Sequence, residues 1–281
     1  MILSSNLHRF HQSFGLKKTI DIFADAGFEG IDFNTDIEEY YTDVHSPEFY
    51  KEIRKYANDK GIVFYQTHAP FRSSFPDADK TEQRFWEIVK SMQHSSLLGA
   101  EMTVVHPCNH LPYKEGENRD IMMEYNIDFY NRLRPYAEEN GIRIAIENIH
   151  NYITESPENL LELLDALNSD VFTICYDVGH DYIATKDPTD MISKIGSRIG
   201  CTHIHDNDGT IDRHTLPYYG DIDWEAVMKA FARSGYAGNL NYEAAYFASK
   251  LPAEFLPEGA KYMAAVGKHL ISRYHHYKAL G

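Results

Sequence analysis

The sequence is short of cysteine, of cationic residues and of long apolar stretches, and each shortage removes a class of protein. Its three cysteines, Cys108, Cys175 and Cys201, stand alone with no CxxC pair in a chain of 281 residues. So sparse and odd a set is expected to be reduced thiols, not a disulfide framework. No run approaches the roughly 18 consecutive apolar residues of a membrane helix. MILSSNLHRF has no charged segment leading into an apolar core, so no secretory signal is expected and the setting is predicted to be cytoplasmic. Lys and Arg number 27 against 42 Asp and Glu, a net charge of −15. That field opposes non-specific attraction to nucleic acid or an anionic membrane, because both depend on basic groups displacing counterions. A glycine-rich phosphate loop is missing, so a phosphorylated substrate is not demanded. No linker or low-complexity tract interrupts the chain, and residues 1–281 are predicted to form one domain.

What the sequence does contain is a regular alternation. Short apolar or β-branched runs predict strands at 2–5, 30–33, 62–67, 102–105, 142–147, 171–177, 199–205 and 239–243. Amphipathic stretches predict helices at 16–26, 47–59, 81–98, 120–139, 157–167, 188–195, 224–233 and 257–274. Gly27, Gly61, Gly99, Gly141 and Gly235 follow helical patterns, where a left-handed cap is wanted, and Ser156-Pro157 is a helix start. Eight strands alternating with eight helices predict an α/β fold, a single (β/α)8 TIM barrel. A doubly wound open sheet would need a switch point and usually a glycine-rich first turn, and neither is visible.

Polar residues collect where the strands stop, in Thr67-His68-Ala69-Pro70, Val105-His106-Pro107, Ile146-Glu147-Asn148, Tyr176-Asp177-Val178-Gly179-His180, His203-Ile204-His205-Asp206 and Tyr242-Glu243. In a closed barrel these ends share one rim, where such enzymes place their chemistry. One buried polar group at a strand end is ordinarily a satisfied core residue. Acids and imidazoles on four adjacent strands, with no Lys or Arg beside them, are different, because converging carboxylates repel unless a cation lies among them. Two Glu, one Asp and one His make a hard, mostly oxygen donor set that suits Mn2+, Mg2+ or Co2+, with Zn2+ reachable through the imidazole.

The set IEN, YDVGH, HIHD and NYEA resembles the xylose isomerase-like barrel superfamily of sugar isomerases, epimerases and endonuclease IV, over nearly the whole chain. The resemblance implies metal ligation by Glu147, Asp177, His203 and Glu243. His203 and His205 each precede an acid by three residues, and either fits the ligand position. Matching HIHD to the family's HLND-type motif selects His203 and leaves His205, with Asp206, as a supporting or substrate contact. Endonuclease IV uses five further zinc ligands, and His68, His106, His180, Asp212 and His214 stand in the corresponding motifs here. In sugar-acting relatives such histidines bind substrate hydroxyls, and that role is favoured for His68, His106 and His180.

The implied activity is a metal-dependent isomerase or epimerase acting on a sugar, sugar phosphate or keto-cyclitol through an enediolate, with Glu147 and Glu243 exchanging the proton. A keto-sugar dehydratase or lyase would share that site. The competing expectation is a multinuclear zinc phosphodiesterase at abasic DNA, which the acidic balance and isolated Arg72 and Arg213 oppose. A binder without turnover would not need both glutamates. A small-molecule carbohydrate is the expected partner, and relatives imply a homo-oligomer. Cys108 is read as a rim residue, Trp86 and Trp224 as structural, and Tyr40-Tyr41 and Tyr218-Tyr219 as possible cavity walls.

Overall fold

The computed structural model describes residues 1–113 and 116–281. Eight strands, β1 (Ile2–Asn6), β2 (Gly30–Asn34), β3 (Val63–His68), β4 (Met102–Val105), β5 (Arg143–Glu147), β6 (Phe172–Asp177), β7 (Ile199–His203) and β8 (Asn239–Tyr242), form one sheet. All pair in parallel, in the order β7-β6-β5-β4-β3-β2-β1-β8. The ends of that order meet just past β7, where the Ile204 amide donates to Asn241 O at 2.7 Å and the Glu243 amide donates to Ile204 O at 3.1 Å. A TIM barrel results, as the strand–helix alternation predicts.

Helices wrap it: α1 (His8–Phe14), α2 (Leu16–Ala26), α3 (Pro47–Asp59), α4 (Ala78–Leu98), α5 (Arg119–Asn140), α6 (Pro157–Leu167), α7 (Val178–Thr185), α8 (Pro188–Ile195), α9 (Trp224–Ser234), α10 (Ala245–Ser249) and α11 (Leu256–Ala279). Helix α2 shows the logic. Leu16, Thr19, Ile20, Ile22 and Phe23 recur at helical spacing and are buried, and Gly27 ends the helix at φ 90°. Three short helices, α1, α7 and α10, escape the sequence pattern, while the equally brief α8 is signalled by the proline at its first position. Helix α7 starts directly after β6, since Asp177 Oδ1 accepts the His180 amide at 2.7 Å and caps it. His205 and Glu243, expected within strands, lie just past the ends of β7 and β8.

The barrel interior has two zones. Met102, Val104, Ala145, Cys175 and Cys201 pack an apolar one between β4 and β7. Toward β1, β2, β3 and β8 the interior also holds polar side chains, which hydrogen-bond one another and leave Asp32 Oδ1 without a partner. Gln66 Nε2 and Asn241 Nδ2 both donate to Asp32 Oδ2 at 3.0 Å. Asn239 Nδ2 donates to Gln66 Oε1 at 2.6 Å, and Ser4 Oγ to Asn241 Oδ1 at 2.8 Å. This network holds an ionisable carboxyl, Asp32, beneath the functional rim.

Candidate metal centre

Glu147, at the end of β5, is the hub of the rim and is 1% exposed. Its two oxygens face different partners. Oε1 lies 2.9 Å from His203 Nδ1, and that nitrogen lies 3.3 Å from Glu243 Oε2 and 3.8 Å from Asp177 Oδ2. Oε2 lies 2.9 Å from His106 Nε2 and 3.8 Å from His68 Nε2, while the two imidazole nitrogens are 3.1 Å apart. A third group forms beside these, where Asp212 Oδ2 sits 3.2 Å from His180 Nε2 and 3.0 Å from His214 Nε2. Donors around a cation with bonds of about 2.1 Å stand roughly 3.0–3.4 Å apart, and most of these spacings fall close to that range, the two of 3.8 Å lying outside it.

Atoms without partners carry the same message. Glu147 Oε2 has no aligned donor although His106 Nε2 is 2.9 Å away, and Asp177 Oδ2 has no donor at all. Histidine orientation adds to it. His68 Nδ1 bonds Ala69 O at 2.9 Å, His180 Nδ1 bonds Asn148 O at 3.0 Å, and His214 Nδ1 bonds Glu243 O at 3.0 Å. Each Nδ1 therefore carries a proton, so that loss of the second proton would leave on Nε2 a lone pair directed into the rim, the arrangement that orients a metal-binding histidine. His203 is turned the other way, with Nδ1 toward the carboxylates and Nε2 3.4 Å from Asp32 Oδ2.

The electrostatics are those of a site that wants positive charge. Burial raises the Glu147 carboxyl, but His203 and His106 outweigh it and hold it well below the usual range. Burial likewise opposes ionisation of Asp177, and His180 and His205 overcome it. Burial pulls down His203 and His180, yet Glu243 lifts the first and Asp177 the second well above an ordinary imidazole. His68 and His214 rise to about 9 against the same burial, through Glu147 and Glu243 chiefly. His106 is the exception, since burial prevails there and lowers it. Protons or divalent cations are alternative ways of meeting this demand.

Sequence comparison matches residues 20–266 to the family described as xylose isomerase-like TIM barrel. The chain belongs to that family. It is similar to an inosose dehydratase of Clostridium botulinum (strain Alaska E43 / Type E3), 22% identical over 274 residues and 88% of each chain. It is also similar to a D-psicose 3-epimerase of Enterocloster bolteae, 22% identical over 234 residues, or 79% of this chain and 74% of that one. A solved structure of the IolI protein with a bound zinc atom shares the fold, with a TM-score of 0.79 at 20% identity, covering 98% of this chain and 99% of that one.

In this xylose isomerase-like barrel the eleven rim residues singled out by sequence do not all converge. Ten fall within the groups above: His205 joins His180, Asp212 and His214, with Nε2 3.1 Å from Asp177 Oδ1. His205 also stacks on His214 at 3.9 Å, and a Cβ on Gly179 would lie 2.0 Å from its ring, which is why YDVGH carries glycine there. Asp206 stands apart. Its oxygens accept the Asn207, Tyr218 and Ile222 amides and, at 2.8 Å, the Trp224 indole, tying down the loop between β7 and α9. Asp206→Ala should therefore cost about 3 kcal/mol in urea denaturation, by orphaning buried donors, while metal content stays the same.

Sequence patterns passed over several supporting residues. Asn148 accepts the Asp177 amide at 2.7 Å and donates to Asp177 O at 2.9 Å, fixing β5 to β6 beside Glu147 and Asp177. Asp32 supports His203, but its mid-strand place in GIDFN gives no rim signal. Of the aromatics, Phe71 and Tyr246 line cavities whereas Tyr40 is buried in the core, and Phe71 stacks over His106 at 5.2 Å. Trp224 is core, while Trp86 is half exposed on α4. Cys108 is buried, and burial pushes its thiol up, away from the thiolate that a nucleophile needs.

Proposed function

We propose that the protein is a metal-dependent isomerase or epimerase that moves a proton beside the carbonyl of a sugar or cyclitol ketone, with Glu147 and Glu243 as the acid–base pair. One observation carries this: Glu147, Asp177, His203 and Glu243 bring ligand atoms within 4.8 Å of one another beside two cavities of about 420 and 330 Å3, both lined by Glu243. Volumes of that size suit small ligands. The names of the two relatives, an epimerase and a dehydratase of small polyhydroxy ketones, support the substrate class.

A divalent cation on the quartet would polarise a substrate carbonyl and offset the charge of the enediolate, and three carboxylates with one imidazole suit Mn2+, Mg2+, Co2+ or Zn2+. The chain's own groups do the rest. Glu243, whose side chain is 20% exposed, is the most open carboxylate of the quartet. Glu147 reaches the smaller cavity from below, with its charge fixed by His203 and His106. His68, His106 and His180 line the cavities as partners for hydroxyls, and Phe71 screens His106 from water. Proton removal is common to epimerase, isomerase and dehydratase, which diverge only at the next bond. In D2O, protein reloaded with Mn2+ should introduce deuterium beside the carbonyl of a responsive ketohexose or inosose, and a chelator should abolish it. Absence of exchange with each of the four metals across both substrate groups would overturn the proposal.

A second reading has its own support. The split of Glu147 between two groups, and the adjoining His180, Asp212 and His214, could seat three cations, as a zinc phosphodiesterase needs. The net charge of −15 opposes a DNA substrate. Three zinc ions per chain together with cleavage of an abasic duplex would favour this reading over the first.

A further inference from the structure

The larger cavity has a wall that the metal chemistry does not use. It is built where β1 and β2 end. The Leu7 amide donates to Asn34 Oδ1 at 3.1 Å, Asn34 Nδ2 donates to Asp36 Oδ1 at 3.1 Å, and Asp36 Oδ2 meets His8 Nε2 at 3.2 Å. The relay is thus anchored on backbone at one end and finishes in an imidazole facing the cavity. Asp36 is nearly buried, at 8% side-chain exposure, and His8 is open at 37%. Asn6, the last residue of β1, lines the same cavity, and its side-chain amide has no hydrogen-bond partner among the described residues. His8 Nδ1 is likewise free of protein partners there. The hydrogen bond to Asp36 raises the His8 pKa above the ordinary imidazole value.

This wall is rich in donors and acceptors but poor in cations. No Lys or Arg lines the 420 Å3 cavity among the described residues, and Asp36 and Glu243 both present carboxylates to it. Arg72 lines the smaller cavity instead. Phosphate sites use arginine forks, lysine or free helix N-terminal amides. Here the Leu7 amide before α1 is already spent on Asn34. A phosphoryl group would meet the Asp36 and Glu243 carboxylates, and the imidazoles of His8, His68 and His214 would face it with no arginine or lysine beside them. A hydroxyl, donor and acceptor at once, matches His8, Asn6 and Asp36 in turn.

We infer that the substrate end remote from the reacting carbonyl is an uncharged polyol, held by hydroxyl hydrogen bonds to His8 and Asn6, with Asp36 positioning His8. This rests on the proposed keto-sugar chemistry only for putting the carbonyl at the quartet. Binding is set by this wall, so its loss shows in KM more than in kcat.

The test uses the Mn2+-loaded full chain with neutral ketohexoses and inososes, their monophosphates, and dihydroxyacetone as a ligand too short to reach the wall. At least one neutral hexose or inosose should be used about tenfold or more better than its monophosphate. His8→Ala and Asp36→Asn should each raise its KM about tenfold with kcat nearly kept, and His8→Gln, which retains a donor, should recover most of the loss. Dihydroxyacetone should not respond to any of the three. Preference for a monophosphate, or KM unmoved in both His8→Ala and Asp36→Asn, would overturn the inference. If no ketone exchanges deuterium, the proposed function fails, and calorimetric binding decides this point alone. Neutral ketose binding weakened by His8→Ala sustains it, whereas His8-independent binding or none overturns it.

Discussion

Glu243→Gln should keep its metal and lose about 10³-fold in turnover, whereas Glu147→Gln should lose both metal and turnover. The difference follows from how the two carboxylates are placed. Glu243 touches the quartet through one oxygen, 3.3 Å from His203 Nδ1, and lines both cavities. A neutral amide there retains an oxygen donor but cannot take a proton, and general-base loss is worth about 10²–10⁴-fold. Glu147 divides its oxygens between His203 on one side and His106 with His68 on the other. Replacing it removes the charge that two donor groups share, and a buried shell stripped of one partner leaves the rest uncompensated. Metal content by elemental analysis, read beside deuterium exchange, separates the two variants. Full exchange in Glu243→Gln would remove it from the proton-transfer role.

Raising the pH should destabilise the metal-free protein and strengthen its hold on metal in the same window. His68 and His214 are lifted from the ordinary 6.5 to about 9 in the folded chain. A folded state that binds protons more tightly than the unfolded one owes stability to them. That contribution is complete below about pH 6.5 and is lost as pH rises through about 9. The melting temperature without metal should therefore fall across this interval, by on the order of 5 °C. A cation displaces the same protons, so loading at pH 7 should release them, and affinity should climb toward pH 9. The lowered carboxyls, Glu147, Asp177 and Asp212, act at the opposite end, where their contribution disappears in acid. Calorimetry in buffers of different ionisation enthalpy counts the released protons. Proton-neutral binding, or a metal-free melting temperature that rises from 6.5 to 9, would contradict these protonation states.

The barrel could be read from the sequence because parallel strands buried on both faces leave continuous apolar runs, and the intervening helices are long enough to show their period. Helices α1, α7 and α10 are brief and carry no such record, whereas α8, as short as α7, is marked by Asp187-Pro188 at its start. At the rim, the quartet followed from four motifs at four strand ends. The structure brings His203 to Glu147, Asp177 and Glu243, and puts His205 between Asp177 and Asp212. Spacing alone left those two histidines equivalent, since both precede an acid by three residues. Asp206 shows the reverse difficulty. Its HIHD context looks like a site, yet its charge is consumed by three loop amides and an indole, and only the fold of residues 206–224 reveals them. The His8–Asp36 wall was invisible for a similar reason. Its members are 28 residues apart, and a register between β1 and β2 joins them.

The most direct test of a cation-dependent centre is anomalous diffraction from crystals grown with Mn2+ or Zn2+. A peak should lie among Glu147 Oε1, Asp177 Oδ2, His203 Nδ1 and Glu243 Oε2, whichever other groups are also filled. An empty quartet at millimolar metal, or cations confined to the His68–His106 and His180–His214 groups, would contradict it.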